Sequence, residues 1–266
     1  MSDADREEEL ELSRAPLIDH LIELRGRLIN SLIALVIGFV IAFIFVEDIY
    51  AFLVQPYADV AGSEPGRRLI ATSVQETFFT YIKLALWAGF IGAFPIIAWQ
   101  LYAFIAPGLY KTERKAFAPY LVATPVLFIM GGALVYYMIA PLAFDFFLDW
   151  ERERAATGQL SIVVEQRVSE YLSLMTKFIL AFGICFQLPV AITLLARVGL
   201  VTSDGLKHFR RYAIVGTFLV AAFLTPPDPF SQLGLALPIL LLYEISVYLA
   251  RMVEKEAERA LTEEDA

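Results

Sequence analysis

The chain has 266 residues, 58% of them hydrophobic, and a mean hydropathy of +0.63. This composition is too apolar for an ordinary soluble globular domain and predicts an integral membrane protein. Acidic residues outnumber basic ones by 29 to 21, giving a formal net charge of −8, and no nucleic-acid partner is predicted.

Six apolar stretches follow one another along the chain: Leu28–Val46, Thr77–Ile105, Phe117–Ile139, Leu172–Ala196, Tyr212–Leu224 and Leu233–Leu249. A helix needs about 20 apolar residues to cross the hydrocarbon layer, and the first four stretches reach that length. Inside lipid every backbone polar group must be paired within the protein, so such stretches are predicted to be helices. The predicted fold class is therefore all-α, with six transmembrane helices of which the last two are short.

Four of the spans contain a proline: Pro95, Pro125, Pro189 and Pro238. Each proline removes a backbone donor and favours a kink, and kinked helices would together form a concave wall. We predict one polytopic membrane domain over residues 1–266, with charged tails at 1–14 and 251–266. The connections Glu47–Gln75 and Pro141–Glu170 are too long for turns and are predicted to hold short helices against the outer membrane face.

The basic residues predict the orientation of the spans. Fourteen Lys and Arg residues lie in the two tails and in the second and fourth connections, against five in the other three connections. The positive-inside rule counts only basic residues, so both termini are predicted to be cytoplasmic. The first 27 residues carry more acids than bases and lead into a span too long for a signal-peptide core, so no cleaved leader is expected.

The sequence offers little for catalysis. His20 and His208 are the only histidines, and both lie outside the spans; Cys185 is the only cysteine, so no intrachain disulfide is possible. No His-Glu-x-x-His, Gly-x-Ser-x-Gly or Gly-rich phosphate loop is present. We therefore predict that the protein is not an enzyme and has no catalytic residue, metal or cofactor.

Few ionisable groups lie inside the predicted spans. Lys83, Lys177 and Glu244 are within about two turns of a helix end, where snorkelling to the interface accounts for them. A proton-coupled carrier would need a deeper charge relay. A small-solute secondary transporter is the alternative function, but it would be expected to show inverted repeats around a midplane site, and no convincing repeat is visible.

Residues Leu17–Leu28 have the pattern of an amphipathic helix, with leucines on one side and Glu23 on the other. We expect this helix to lie at the interface before the chain turns into the first span. Glu23 and Arg27 are four residues apart and can form an ion pair, whereas Glu23 and Arg25 project in different directions. An ordinary surface pair with little effect on stability is the alternative interpretation.

Glu113 is the only acid in the second cytoplasmic connection, in the segment Phe104-Ile-Ala-Pro-Gly-Leu-Tyr-Lys-Thr-Glu113. Its carboxylate either neutralises the neighbouring bases or binds a cationic ligand. The residue types alone leave both readings open.

Five segments of the chain resemble the TatC family, the large receptor subunit of the twin-arginine protein translocase. They are His20-Leu-Ile-Glu-Leu-Arg-Gly-Arg-Leu28, the segment ending at Glu113, Pro141-Leu-Ala-Phe, Ala181-Phe-Gly and Leu224-Thr-Pro-Pro-Asp228-Pro-Phe-Ser-Gln232. Their order matches the family's order and they extend over nearly the whole chain. The resemblance implies a multi-pass protein of a prokaryotic plasma (inner) membrane that exports folded proteins with the proton-motive force.

The resemblance also implies the site and the partners. Signal peptides with paired arginines are expected to bind at Glu23, Arg25, Phe104 and Glu113, with Pro56 and Asp228 as further sensitive positions. The expected partners are single-span subunits of the TatA/TatB type, in an oligomeric complex within the lipid bilayer.

Gln187 departs from the family, since many relatives have a glutamate at this position in the fourth span. A buried amide can hydrogen-bond to a partner helix, but it cannot titrate. We predict either contact with a partner subunit or an intrachain bond to a backbone carbonyl that Pro189 leaves free.

Overall fold

The computed structural model describes residues 3–61, 69–105, 118–156, 165–224 and 229–264, and nearly all of them are helical. The helices are α1 (Asp3–Ile44), α2 (Val46–Ala61), α3 (Val74–Ile105), α4 (Ala118–Leu134), α5 (Ala140–Ala156), α6 (Val168–Cys185), α7 (Leu188–Arg197), α8 (Ser203–Leu224) and α9 (Pro229–Glu264). A π-helical segment, Val135–Ile139, joins α4 to α5. Within these ranges the β pairing is a single parallel bridge between Ile70 and Arg167. The all-α prediction is confirmed.

Five helical stretches among the described residues are long and apolar enough to cross a membrane: His20–Ile44, Val74–Phe104, Pro119–Phe146, Val168–Arg197 and Gln232–Glu256. They coincide with five of the six predicted spans. The remaining one, Tyr212–Leu224, lies within α8, whose first half is polar and includes Arg210 and Arg211. A sixth span therefore stays a prediction.

The amphipathic segment at the start of the chain is helical, but the expected turn before the first span is wrong. α1 runs as one helix through the amphipathic segment Leu17–Leu28 and on to Ile44. No proline lies between Leu17 and Ile44, so nothing in the backbone interrupts the hydrogen bonding. The prediction of helices in the two long connections is confirmed, by α2 and α5.

The chain divides into two compact units. The first contains Met1–Ile44 and Ala85–Leu121, and the second contains Phe45–Leu84 and Val122–Ala266. In the first unit, α1 and α3 cross backbone to backbone at Gly38 and Gly89. A Cβ atom on Gly38 would lie 2.6 Å from the Gly89 carbonyl oxygen, and one on Gly89 would lie 2.5 Å from the Phe39 nitrogen. Small residues of this kind allow membrane helices to approach closely.

In the second unit, α4 crosses α6 at Gly131, where a Cβ atom would lie 2.7 Å from the carbonyl oxygen of Phe182. The fourth predicted span is broken between α6 and α7, and Pro189 lies in the first turn of α7. Pro95, Pro125 and Pro238, by contrast, lie inside helices that continue through them.

The C-terminal helix α9 packs on α7 and α8. Ile192, Ala196, Leu206, Val247 and Ala250 form a buried cluster between these helices. Polar contacts also join α9 to α8. The two oxygens of Glu254 accept bonds from the backbone nitrogen and hydroxyl of Ser203, at 2.6 and 2.5 Å, and so cap α8. Arg210 forms a bidentate ion pair with Glu244 at 2.6 and 2.7 Å.

The first turn of α8 also contains an internal ion pair. A hydrogen bond from Lys207 to Asp204 lowers the pKa of the Asp204 carboxyl.

Candidate functional site

One face of α1 carries the first group of predicted site residues. His20, Glu23 and Arg27 are spaced i, i+3 and i+7, so they lie along the same side of the helix. Arg27 donates from Nε and Nη2 to the Oε1 atom of Glu23, at 2.9 and 2.6 Å. The predicted ion pair is confirmed. The Arg27 and Glu23 side chains are 26% and 33% exposed, so the pair remains accessible to a ligand.

Phe104 lies in the last turn of α3, and its ring contacts His20 on this face of α1. The two rings are stacked, with centroids 4.2 Å apart and planes inclined by 18°. Because His20 is one turn from Glu23, an aromatic surface lies next to the carboxylate. Sequence reasoning missed this contact, although His20 begins the motif that contains Glu23 and could have been considered with it.

The other predicted residues of this site have different outcomes. Arg25 is exposed on α1. Glu113 and Asp228 lie outside the described residues. The structure therefore brings Glu23 and Phe104 into one neighbourhood, while the contribution of Glu113 stays a prediction.

Pro56 lies in the second unit, buried inside α2. A proline has no N–H, so the carbonyl of Phe52, four residues earlier, loses its usual helical donor. The Tyr136 hydroxyl donates to that carbonyl at 2.8 Å. The Phe52 and Tyr136 rings are also stacked at 4.3 Å. Pro56 is thus part of a helix-packing arrangement around α2.

Gln187 occupies the break between α6 and α7. Its Nε2 donates to the carbonyl oxygens of Thr124 and Gly183, at 3.0 and 3.3 Å. In a regular α-helix the backbone nitrogen of Gln187 would donate to the Gly183 carbonyl oxygen. Here it donates to the carbonyl oxygen of Ile184, so the Gly183 oxygen can accept from the Gln187 side chain. An intrachain bond is therefore present, as one of the two alternatives predicted. Its acceptors are not the predicted one, however. Pro189 has no N–H to donate to the carbonyl of Cys185, four residues earlier, but the Gln187 side chain bonds to Thr124 and Gly183. The Oε1 atom is buried and has no hydrogen-bond partner among the described residues.

A second polar cluster was not anticipated from the sequence. Glu76 accepts bonds from the backbone nitrogen and hydroxyl of Thr72, at 2.9 and 2.5 Å, and from the hydroxyl of Ser169. Ser73 in turn accepts a bond from the Glu76 nitrogen at 3.2 Å. The spacing Ser73-x-x-Glu76 is that of a capping box and could have predicted the start of α3. The contact with Ser169 joins this helix end to the start of α6.

Known proteins resemble this chain over most of its length. The family described as Sec-independent protein translocase protein (TatC) matches residues 19–238. The TatC protein of Magnetococcus marinus is 47% identical, over 94% of this chain and 90% of the relative. The TatC protein of Escherichia coli K12 is 42% identical, over 89% of this chain and 88% of the relative. A crystal structure named Twin Arginine Translocase Receptor TatC superposes with a TM-score of 0.76 at 38% identity, covering 88% of this chain and 99% of that chain.

The several apolar helices, with the one-third exposed Glu23 carboxylate and the nearby aromatic pair, define a helical membrane protein with a polar face on α1. The comparisons make the assignment specific: the chain belongs to the TatC family. It is a core subunit of the Sec-independent, twin-arginine protein translocase. The family consists of transport subunits, and the small-solute carrier considered above is not supported.

Proposed function

We propose that this subunit binds paired-arginine signal peptides of folded proteins, with Glu23 and Glu113 as the two carboxylate partners and with Arg25 and Phe104 beside them. The observation that carries the proposal is the environment of Glu23. Both bonds from Arg27 end on Oε1, so within the described residues Oε2 is available to a further donor. His20, one helical turn from Glu23 on α1, stacks on the ring of Phe104.

Guanidinium chemistry explains why such a site would select arginine. A guanidinium is planar and offers paired N–H donors that match a carboxylate, whereas an ammonium group does not reproduce this geometry. Two adjacent arginines need two acids on different parts of the backbone, and Glu23 and Glu113 meet this requirement in sequence. A carboxylate that is only 33% exposed interacts more strongly with a cation than a fully solvated one does.

The wider proposal concerns orientation and assembly. Six spans with both termini in the cytoplasm would place Glu23 where a signal peptide arrives, and the fourteen-to-five distribution of basic residues supports this orientation. Single-span subunits of the TatA/TatB type would complete an oligomeric complex in the plasma membrane of a prokaryote, with export driven by the proton-motive force. Gln187 is proposed to contact one of these subunits through Oε1.

The test is photo-cross-linking of a paired-arginine signal peptide to the full-length protein in membranes. Glu23→Ala and Glu113→Ala should each weaken labelling by about 5- to 150-fold, which corresponds to about 1–3 kcal/mol for a charged hydrogen bond. A paired-lysine peptide should label poorly in every case. Normal labelling of the double variant would disprove the site.

Glu165→Ala is a matched control for these variants. Glu165 is an exposed acid that precedes α6, so its removal changes the net charge by the same amount without touching α1. Labelling of this variant should equal that of the wild type. An equal loss in all three variants would indicate a general charge effect in place of a specific site.

A further inference from the structure

The face of α1 that carries Glu23 already holds a guanidinium of its own. Arg27 donates from Nε and Nη2 to one oxygen of Glu23, at 2.9 and 2.6 Å. The Arg27 and Glu23 side chains are 26% and 33% exposed, so solvent and a ligand can reach both. The carboxylate that the proposed function assigns to a signal-peptide arginine is therefore paired in advance with the same chemical group.

This internal pair changes what an incoming cation meets. An isolated carboxylate attracts any positive group, whereas the pair of Glu23 and Arg27 has no net charge. A cation that reaches Oε2 of Glu23 also comes close to the Arg27 guanidinium, and like charges repel more strongly at a partly buried position than in bulk water. Charge attraction alone therefore does not hold a ligand here, and the ligand must form well-aligned hydrogen bonds to the carboxylate.

Arginine and lysine differ in whether they can form those bonds. A guanidinium has a planar fork of N–H donors, so it can take over the two-donor contact that Arg27 makes with Oε1 or form a matching contact with Oε2. The pair that it displaces is an i,i+4 ion pair on a helix surface, which contributes little to stability. An ammonium group is a point charge and is more strongly hydrated, so it does not reproduce the two-donor contact and loses more hydration on binding.

We propose that Arg27 is a specificity-determining residue of the signal-peptide site: it keeps Glu23 neutralised, so that the site admits guanidinium ligands and rejects ammonium ligands. Specificity commonly needs such a repulsive element in addition to attractive contacts. Because Arg27 acts through Glu23, this role rests on the proposed function of Glu23 as a partner of the signal peptide.

The experiment titrates paired-arginine and paired-lysine signal peptides, each with the same photo-cross-linker, against the full-length protein in open membrane fragments. Arg27→Gln removes the charge and retains a residue that favours helix. It should raise labelling by the paired-lysine peptide about two- to fivefold, the range expected for one exposed ion pair. Labelling by the paired-arginine peptide should change less, so the ratio of arginine to lysine labelling falls. Arg27→Lys keeps the charge and should keep the wild-type ratio.

Three further variants separate this role from a structural one. Arg27→Met keeps a long side chain without the charge and should give the same shift as Arg27→Gln. Glu23→Ala combined with Arg27→Gln should show no gain in lysine labelling, because the carboxylate that Arg27 neutralises is gone. Lys207→Gln is the charge control, because it also frees an acid, Asp204, from an ion pair, but on α8. Both peptides should label it as they label the wild type.

The outcomes distinguish this role from the proposed function. Paired-arginine labelling that is unaffected by Glu23→Ala would disprove both. Labelling that depends on Glu23, with an unchanged ratio in both neutral Arg27 variants, would overturn the specificity role alone. So would a gain in lysine labelling that persists without Glu23 or appears in Lys207→Gln. Loss of labelling by both peptides in the two neutral variants would also overturn it and assign Arg27 to the support of α1.

Discussion

At the scale of single residues, a proline and a tyrosine on different helices compensate for each other. Pro56 cannot donate a backbone hydrogen bond, and the Tyr136 hydroxyl supplies the donor that the Phe52 carbonyl lacks. A buried carbonyl left without a donor costs roughly 1–3 kcal/mol. The resemblance to the TatC family marks Pro56 as sensitive, and this hydrogen bond provides a structural reason for that sensitivity.

Tyr136→Phe should therefore lower the free energy of unfolding by about 1–3 kcal/mol, since phenylalanine keeps the ring stacking but loses the donor. In a Pro56→Ala background the same change should cost less, because the alanine N–H can bond to the Phe52 carbonyl. The two changes can be measured as a double-mutant cycle of denaturant unfolding in detergent micelles.

Tyr243→Phe provides the control for this cycle. The Tyr243 hydroxyl also donates to a backbone carbonyl of another helix, that of Leu206, at 2.7 Å. Tyr243→Phe should lower the free energy of unfolding by the same amount with or without Pro56→Ala, because Leu206 is not near that proline in the chain. Equal losses for Tyr136→Phe in both backgrounds would show that the proline and the tyrosine are not coupled.

At the scale of helices, the crossing of α1 and α3 depends on the absence of side chains. A Cβ atom on Gly89 would lie 2.5 Å from a backbone nitrogen of α1, whereas one on Gly92 would meet no heavy atom within 4 Å. Since overpacking costs about 1–3 kcal/mol, Gly89→Ala should lower the thermal unfolding temperature. It should also weaken signal-peptide cross-linking, because α1 and α3 carry Glu23 and Phe104.

Gly92→Ala should have the opposite effect on stability. Alanine is favoured over glycine in a helix interior by about 1 kcal/mol, and Gly92 has space for the added methyl group. Thermal unfolding of the two variants side by side tests the crossing. A Gly89→Ala protein as stable as the Gly92→Ala protein would show that the helices separate easily at this point.

The same crossing shows how much of the structure the sequence could predict. Helices were predictable because long apolar runs must satisfy their backbone groups internally. The contact between Gly38 and Gly89 was not, because glycines add no hydropathy signal and lie far apart in the chain. Glu23 and Arg27 were predictable as neighbours by their spacing, but the stacking of His20 on Phe104 joins two helices and leaves no local pattern.

At the scale of the whole molecule, the number of spans depends on α8. Its predicted apolar part, Tyr212–Leu224, would be only about 20 Å long at 1.5 Å per residue, so the surrounding bilayer would have to thin. Single cysteines in a Cys185→Ala background can test this. In intact cells, Thr225→Cys should react with an impermeant maleimide, whereas Thr202→Cys should react only after the membrane is opened.

Two further cysteines test the orientation that the positive-inside rule predicts. Ser63→Cys, in the first connection, should label in intact cells, and Thr112→Cys, in the second, should not. Labelling of both Thr202→Cys and Thr225→Cys from one side would rule out a fifth span at α8. The reverse pattern at Ser63 and Thr112 would place the termini outside.

The proposed assembly with a partner subunit involves Gln187, whose side chain is only partly hydrogen-bonded within the described residues. Gln187 uses Nε2 within the chain, towards Thr124, while Oε1 is buried without a partner among the described residues. If a polar side chain of a single-span subunit donates to Oε1, Gln187→Leu should remove that bond and weaken partner cross-linking by roughly 3- to 30-fold. This range corresponds to about 0.6–2 kcal/mol for one interhelical hydrogen bond in a membrane. Gln187→Glu retains an acceptor and should preserve partner cross-linking. Signal-peptide labelling should stay near normal in both.

Thr176→Val is the control, because the Thr176 hydroxyl donates to the Leu172 carbonyl oxygen of its own helix, at 2.7 Å. Full partner cross-linking in the leucine variant, or an earlier loss of peptide binding, would assign Gln187 to the fold alone.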